Sequence, residues 1–297
     1  MSFHSRLCKA FQNAPVLALT PDSRYVIISD CHRGDGSWGD NFMKNQNLYF
    51  TALSHYYQSG FSYIELGDGD ELWENRNMTQ IIDIHSDVFW LLSRFYQADR
   101  LFLLYGNHDM EKRKCDYSTR KCASYFSTET QCRCTLFPEL RFYEGLILKD
   151  PHSGQALHLT HGHQADFFNS VLWRLTRFLV RYVWRPLEHF GVLDPTSAAK
   201  NYVRKDRTEK RLTEFAVQNH LHLITGHTHR PRLDPSAPAY INSGSCVHPR
   251  CITCLEIEQS RLSLVKWTVN TQKDRTLFVE RVVLSSCPLH VLFDQQV

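Results

Sequence analysis

The chain has 297 residues, 42% of them apolar, enough to bury a sizeable core. Thirty-four basic residues against 31 acidic ones leave a formal charge of +3, which gives no reason to expect a nucleic-acid partner. No apolar stretch follows a basic start, and the longest apolar-rich region, 171–192, is broken by four arginines and a proline, so neither a signal peptide nor a membrane span is expected and the location reads as cytoplasmic.

RYVIIS (24–29) is a β-branched run with the profile of a buried strand, and it stops at Asp30. Residues 42–58 read as a helix. FSYIEL (61–66) reads as a second buried strand, stopping at Gly67-Asp68. Residues 78–97 read as another helix, and RLFLLY (100–105) as a third strand, stopping at Gly106-Asn107. Strand alternating with helix predicts a layered α/β fold. Residues 112–138 show no period and read as a loop excursion with one short helix. Residues 140–150 read as a hairpin around Glu144-Gly145. ALHLT (156–160) is a strand ending at His161, and HLHLIT (220–225) another ending at Gly226-His227. Four β-rich segments between 239 and 284 (AYINS, RCITCLEIE, LSLVKWTV and TLFVERVVL) predict a second, mainly antiparallel sheet packed on the first. No repeat or low-complexity linker divides the chain, so a single domain over 1–297 is expected.

A helical, lid-like insertion is expected at about 166–219. Arg174, Arg177, Arg181 and Arg185 recur every three or four residues and line one helix face, while Leu172, Leu175, Leu179 and Val183 line another. Pro186 should end or kink this helix. A second basic helix carries Lys200, Arg204, Lys205, Arg207, Lys210 and Arg211. The basic stripe has three readings. It is a solvated face, a lid whose arginines Arg174, Arg177 and Arg181 bind a polyanionic substrate, or a contact with an anionic membrane surface. Trp173, Phe178, Tyr182 and Trp184 keep the last two open.

Ten cysteines in a cytoplasmic chain read as reduced thiols. Two clusters stand out, Cys115, Cys122, Cys132 and Cys134, then Cys246, Cys251 and Cys254. The first could form a structural zinc site, but its spacing lacks the paired C-x-x-C knuckles of the common zinc modules. Sixteen histidines raise the expectation of a metal site elsewhere.

That site is suggested by how the strands end. SDCH (29–32), GDGDE (67–71), GNHD (106–109), HGH (161–163) and GHTH (226–229) each follow an apolar run directly. In open α/β sheets, ligands bind outside the carboxyl ends of strands. Taken singly, each motif has a bland reading: a strand-end Asp caps a turn, and Gly and Asn tolerate positive φ. Taken together, they place Asp30, His32, Asp68, Asn107, His161, His227 and His229 on one rim. This mixed oxygen and nitrogen set suits two divalent transition ions (Mn, Fe or Zn) sharing a carboxylate. His163 is an alternative to His161, which is favoured because it follows its strand immediately.

The ordered set D-x-H, G-D-x-x-[DE], G-N-H-[DE], a separate His and G-H-x-H resembles the calcineurin-like metallophosphoesterases over Asp30 to His229. The resemblance implies a four-layer α-β-β-α fold, a β-sandwich flanked by helices. It implies Asp30, His32, Asp68 and His229 on one ion, and Asp68, Asn107, His161 and His227 on the other. His108 resembles the family's non-ligand catalytic histidine, with Glu71 as its acidic partner. G-D-G-D-E-L-W is also similar to the branch containing UDP-2,3-diacylglucosamine pyrophosphatase. That branch tends to have Arg where His108 stands and H-G-D where this chain has H-G-H.

The expected chemistry is hydrolysis of a phosphate ester or pyrophosphate by in-line attack of a metal-bridging hydroxide. His108 would protonate the leaving oxygen and Glu71 would fix its tautomer. Cys31, between two ligands, reads as a packing residue. Arg33 has two readings, a bidentate contact to a substrate phosphate or a surface salt bridge, and Arg230 is a weaker candidate for the first. The expected substrate is a small or lipid-linked phosphate compound. The alternatives are the nucleotide-sugar-lipid hydrolase of the branch just named, a serine/threonine protein phosphatase, a nuclease and, least favoured because every ligand position is filled, a non-catalytic metal-binding scaffold.

Overall fold

A computed structural model describes residues 2–37, 39–184 and 202–295. In chain order its elements begin with α1 (Phe3–Gln12), β1 (Val16–Ala18), β2 (Tyr25–Ile28), α2 (Gln46–Gln58) and β3 (Ser62–Leu66). Then come α3 (Met78–Ile84), α4 (Ser86–Gln97), β4 (Leu101–Leu104), α5 (Tyr117–Lys121), β5 (Ser124–Ser127), β6 (Cys132–Thr135), β7 (Phe142–Tyr143), β8 (Gly145–Lys149) and β9 (Ala156–Thr160). The insertion holds α6 (Phe167–Ser170), α7 (Trp173–Leu179), a π-helical turn (Val180–Trp184) and α8 (Tyr202–Gln218). The chain closes with β10 (His222–Thr225), β11 (Tyr240–Asn242), β12 (Cys251–Glu258), β13 (Arg261–Thr271), β14 (Leu277–Pro288) and α9 (Leu289–Asp294).

The strands form a seven-stranded sheet, β14-β13-β12-β2-β3-β4-β7, and a five-stranded sheet, β1-β8-β9-β10-β11. Residues alternate between two cores with the period of two that a strand imposes. Val26 and Ile28 face the helices α2 and α4, while Ile27 faces the opposite sheet. Leu148, Leu159, Ile224 and Ile241 meet Ile27, Ile64 and Leu104 between the sheets. On the far side, Leu7 of α1 and Leu212 and Phe215 of α8 cover Leu223 and Tyr240. The result is the expected four layers, α-β-β-α. Strands buried on both faces explain why the sequence shows near-continuous apolar runs.

Four local expectations need correction. The helix over 78–97 is two helices meeting at His85, which is buried with Asp40 and Gln46 at its ring nitrogens. The excursion 112–138 contains an antiparallel hairpin, β5–β6. The supposed hairpin at Glu144-Gly145 is a crossover: β7 pairs in parallel with β4, while β8 joins the other sheet. Two short runs beside a turn look alike locally, whichever partner each finds. The tail does not make a sheet of its own either. β12 to β14 extend the sheet of β2–β4 in antiparallel fashion, and β11 joins β10 in parallel.

β2, β3 and β4 are mutually parallel, as are β9 and β10. All five carboxyl ends therefore open on one edge of the sandwich. Arg185, Pro186 and Lys200, part of the expected basic stripe, lie outside the described residues.

Candidate metal centre

The strand-end loops are stitched to each other before any side chain is considered. Asp30 N–H donates to the Gly67 carbonyl at 3.2 Å and His32 N–H to that of Asp68 at 2.9 Å. Across the sandwich, Gly226 N–H donates to His161 O at 3.1 Å. Asp30, His32, Asp68, His227 and His229 all adopt positive φ, between 50° and 67°. Left-handed backbone costs an L-residue roughly 1–2 kcal/mol. Five such residues on one rim mark a site where the surroundings impose the conformation. Gly106 allows the closest approach, since a side chain there would strike the Asp68 carboxylate and backbone.

Two clusters form the centre, Asp30 with His32 and His229, and Asp68 with His161 and His227, the candidate ligand atoms of each lying within 4.8 Å of one another, and a third such group, His32 with Glu71 and His108, adjoins the first. Asp30 Oδ2 accepts from Ser29 Oγ at 2.6 Å and from His227 N–H at 2.9 Å. Its other oxygen, Oδ1, is buried without a hydrogen-bond donor, 3.0 Å from His229 Nε2 and 3.8 Å from His32 Nε2. His32 Nε2 and His227 Nε2 are likewise buried and unpartnered. Asp68 stands between the clusters: Oδ2 is 3.1 Å from His161 Nε2 and 3.9 Å from His32 Nε2, while Oδ1 accepts from His108 N–H at 2.8 Å.

Each cluster has an imidazole oriented from behind. His161 Nδ1 donates to the Leu66 carbonyl at 2.8 Å, so the ring, when neutral, turns a lone pair toward Asp68 and toward Asn107 Oδ1, 3.3 Å away. His32 Nδ1 donates to Glu71 at 2.8 Å. Lone pairs and carboxylate oxygens facing one another in a buried space repel unless a positive charge lies between them. Metal-ligating histidines are held by such partners on the remaining nitrogen. The residues present therefore fit divalent cations, and the donor set of carboxylate, amide and imidazole fits transition metals.

The electrostatics agree. Burial raises the Asp30 carboxyl, but His229 and His161 outweigh it and hold the group well below the usual range. Asp68 is lowered in the same way by His161 and His108 against its own burial. Burial and the neighbouring His161 push His227 down to about 4, keeping it neutral as a ligand must be. Burial lowers His161, but Asp68 and Asp30 more than offset this and raise it to about 9, the proton standing in for a cation beside those carboxylates.

The structure thus brings together Asp30, His32, Asp68, Asn107, His161, His227 and His229. His163 is buried nearby with Nδ1 unpartnered, yet His161 holds the place in the cluster. His108 lies beside the ligands, with Nδ1 2.9 Å from Glu71 Oε1 and its edge against His32. Glu71 therefore holds a ligand and the candidate acid at once. Cys31 is a buried core residue.

The arginines depart from expectation. Arg33 does not face the rim. It is buried, forks onto Glu65 at 2.8 and 2.9 Å and donates to Asp70 at 2.7 Å. A guanidinium between two buried carboxylates has no donor turned to a substrate. Arg177 pairs with Glu111, and Arg181 donates to the Leu72 and Trp73 carbonyls, so both tie the insertion to the rim instead of pointing into it. Arg174 is exposed over Trp173. Arg230 pairs with Asp206 and Glu209 of α8.

Two features of the site were not found from the sequence. Beneath the ligands, Asp109 Oδ1 accepts from Gly106 N–H at 2.6 Å and Asp68 N–H at 3.3 Å, and Oδ2 from Gly69 N–H at 3.2 Å. Lys112 Nζ sits 2.6 Å from both Asp109 and Asp70, completing a buried chain Glu65–Arg33–Asp70–Lys112–Asp109. The i, i+3 spacing of Asp109 and Lys112 was the only available signal. The second is Lys205 on α8, half-buried and next to Asp206, the partner of Arg230. Burial and nearby Arg230 lower its ammonium, while Asp30 acts in the opposite sense.

All ten cysteines are free thiols. Cys132 and Cys134 bring their sulfurs to 3.9 Å on β6, and among the described residues no metal-capable cluster includes a cysteine.

A model of the calcineurin-like phosphoesterase family matches residues 23–231. No curated protein matches the chain. Among solved structures, a conserved protein of Streptococcus pneumoniae described as a predicted phosphoesterase is similar at 14% identity and a TM-score of 0.33, covering 88% of this chain and 97% of its own. Vacuolar Protein Sorting 29 of Cryptosporidium parvum is similar at 12% identity and 0.37, covering 89% and 98%. A single mutant of Vps29 from Entamoeba histolytica is similar at 15% and 0.37, covering 88% and 99%. These scores carry no functional argument; the family match and the site geometry do.

Proposed function

The chain belongs to the calcineurin-like phosphoesterase family, and from that premise we propose that it is a phosphohydrolase using two divalent metal ions to cleave a phosphate ester or pyrophosphate bond in a small or lipid-linked compound. The observation that carries this reading is a pair of adjacent clusters with Asp68 of the second 3.9 Å from His32 of the first, and with buried Asp30 Oδ1, His32 Nε2 and His227 Nε2 lacking a hydrogen-bond partner among the described residues. Asp30, His32, Asp68 and His229 would hold one ion, and Asp68, Asn107, His161 and His227 the other. When bound, such ions acidify water and neutralise charge growing on the phosphoryl oxygens.

The chain's own groups supply the rest. His108, with Nδ1 on Glu71, keeps Nε2 for the leaving oxygen, to which it passes a proton. Glu71 holds His108 and His32 in one arrangement, so the acid stays in register with the ligands.

Glu71 and Trp73 in G-D-G-D-E-L-W support, as a narrower reading, a nucleotide-sugar-lipid pyrophosphatase similar to UDP-2,3-diacylglucosamine pyrophosphatase. Among the described residues, no helix is long and apolar enough to cross a membrane. Exposed Phe167, Phe168 and Phe178 on the insertion, with Arg174 between them in sequence, support peripheral contact with an anionic membrane. Recovery in the supernatant with anionic and neutral liposomes alike would remove that contact.

The test of the main reading is metal analysis with assays on a phosphomonoester, a phosphodiester and UDP-linked sugars, with manganese, iron and zinc supplied in turn. Turnover that requires added metal is expected. Stoichiometric metal without turnover of any of these compounds would favour the scaffold reading.

A further inference from the structure

Trp73 and Arg181 belong to neither cluster, yet Trp73 stacks on His108 and Arg181 holds the turn that carries Trp73. The Trp73 indole lies flat on the His108 ring, with centroids 4.2 Å apart and planes 22° from parallel. The indole is buried. An imidazole held only through Nδ1 can still swing about that hydrogen bond. A flat aromatic face on one side, with the His32 ring at 4.6 Å between centroids and nearly perpendicular, removes that freedom.

The indole is in turn placed from the insertion. Arg181, in the π-helical turn, donates from Nε to the Trp73 carbonyl and from Nη2 to the Leu72 carbonyl, both at 2.7 Å, and approaches the Asn75 carbonyl at 3.4 Å. These carbonyls belong to the one turn that carries Glu71 and Trp73. Glu71 Oε1 accepts from the Trp73 and Glu74 N–H groups at 3.1 and 3.3 Å, so the carboxylate on His108 is part of the same turn. The Arg76 guanidinium over the Tyr182 ring, at 5.4 Å, adds a second tie to the π-helical turn. π-Helical turns are frequent at functional sites.

We propose that Trp73 and Arg181 are positioning residues for His108: the guanidinium fixes the 72–75 turn, and the turn fixes both the indole and the carboxylate that aim the imidazole. The inference rests on the phosphohydrolase reading above. In it a water oxygen, its proton lost to solvent, forms a new P–O bond while the P–O bond to the leaving group breaks with its electron pair left on the departing oxygen, and that oxygen takes the proton from His108 Nε2, which is reprotonated from solvent. Arg181 then governs turnover through the acid, its own hydrogen bonds going to backbone carbonyls of the 72–75 turn.

The test reads the dependence of kcat on the leaving group, because a proton donor matters most for poor leaving groups and least for good ones. The full chain, loaded with manganese, is assayed on aryl phosphates graded from p-nitrophenyl to phenyl. His108→Ala should steepen the dependence. Trp73→Ala and Arg181→Gln should steepen it in the same direction, losing about 10-fold more on the phenyl than on the p-nitrophenyl ester, with bound metal and KM unchanged. Trp73→Phe, which keeps an aromatic face, should recover most of the loss. A uniform loss across the series, a loss that follows metal content, or no loss overturns the proposal while leaving the phosphohydrolase reading intact. If His108→Ala itself leaves the dependence unchanged, the acid role fails and takes this inference with it, although metal-dependent turnover would still stand. Should Trp73→Ala not fold, Arg181→Gln, at a half-buried position, decides the matter.

Discussion

The two clusters of the site are oriented by different means. His161 is aimed by the Leu66 carbonyl at the end of β3, a backbone group that no substitution of a side chain removes. His32 is aimed by Glu71, a side chain on a turn, which also carries His108. One half of the site is therefore anchored in the sheet. The other is anchored in a carboxylate that serves the acid as well, and that carboxylate's turn is gripped by the insertion. The lesson is that the Asp30–His32–His229 side is the one held by a side chain, and under the proposed function metal binding and proton donation would be linked there through Glu71.

The comparison can be broken or sharpened by substitution. Asp68 touches both sides, so Asp68→Ala should abolish turnover and lower metal content at both clusters together; retention of full metal would separate them and undo the shared-carboxylate picture. His108→Ala should cut turnover by about 10²–10⁴-fold with metal content intact. Loss of metal as well would make His108 a ligand. Lys112→Met would leave Asp109 and Asp70 buried with one partner fewer, at a cost of about 3–5 kcal/mol in stability, read from urea denaturation. An unchanged midpoint would mean that the buried chain beneath the ligands is not what holds their loops. Glu71→Gln should weaken metal binding by about 10–100-fold at one cluster alone, seen as one weakened phase in a manganese titration. Equal weakening of both phases would erase the distinction between a side-chain anchor and a backbone anchor.

Much of the site was visible in the sequence because each ligand sits on a short motif that carries its own turn chemistry. Gly67-Asp68, Gly106-Asn107 and Gly226-His227 follow apolar runs, and the chain must turn there whatever surrounds it. The layered α/β class followed from the alternation of strands and helices, and the four-layer order from the family resemblance. Arg33 shows where such reasoning stops. Its position after His32 suggested an exposed cation, but the loop turns it under the rim, into carboxylates 32 and 37 residues away in sequence. The crossover at Glu144-Gly145 and the merging of β12–β14 into the first sheet were hidden for a related reason. Strand pairing is decided by segments far apart in the chain, and a β-run looks the same whichever edge it joins.

Local sequence determined which residues could bind metal and at which strand ends they would stand, since those depend on residue type and on turns a few residues long. Only the tertiary structure decided that Glu71 holds both His32 and His108, that Arg33 is buried between Glu65 and Asp70, and that Arg181 reaches the turn below Trp73. Those are contacts across tens to more than a hundred residues, set by how two sheets and an insertion pack, and packing leaves no periodic mark on the chain.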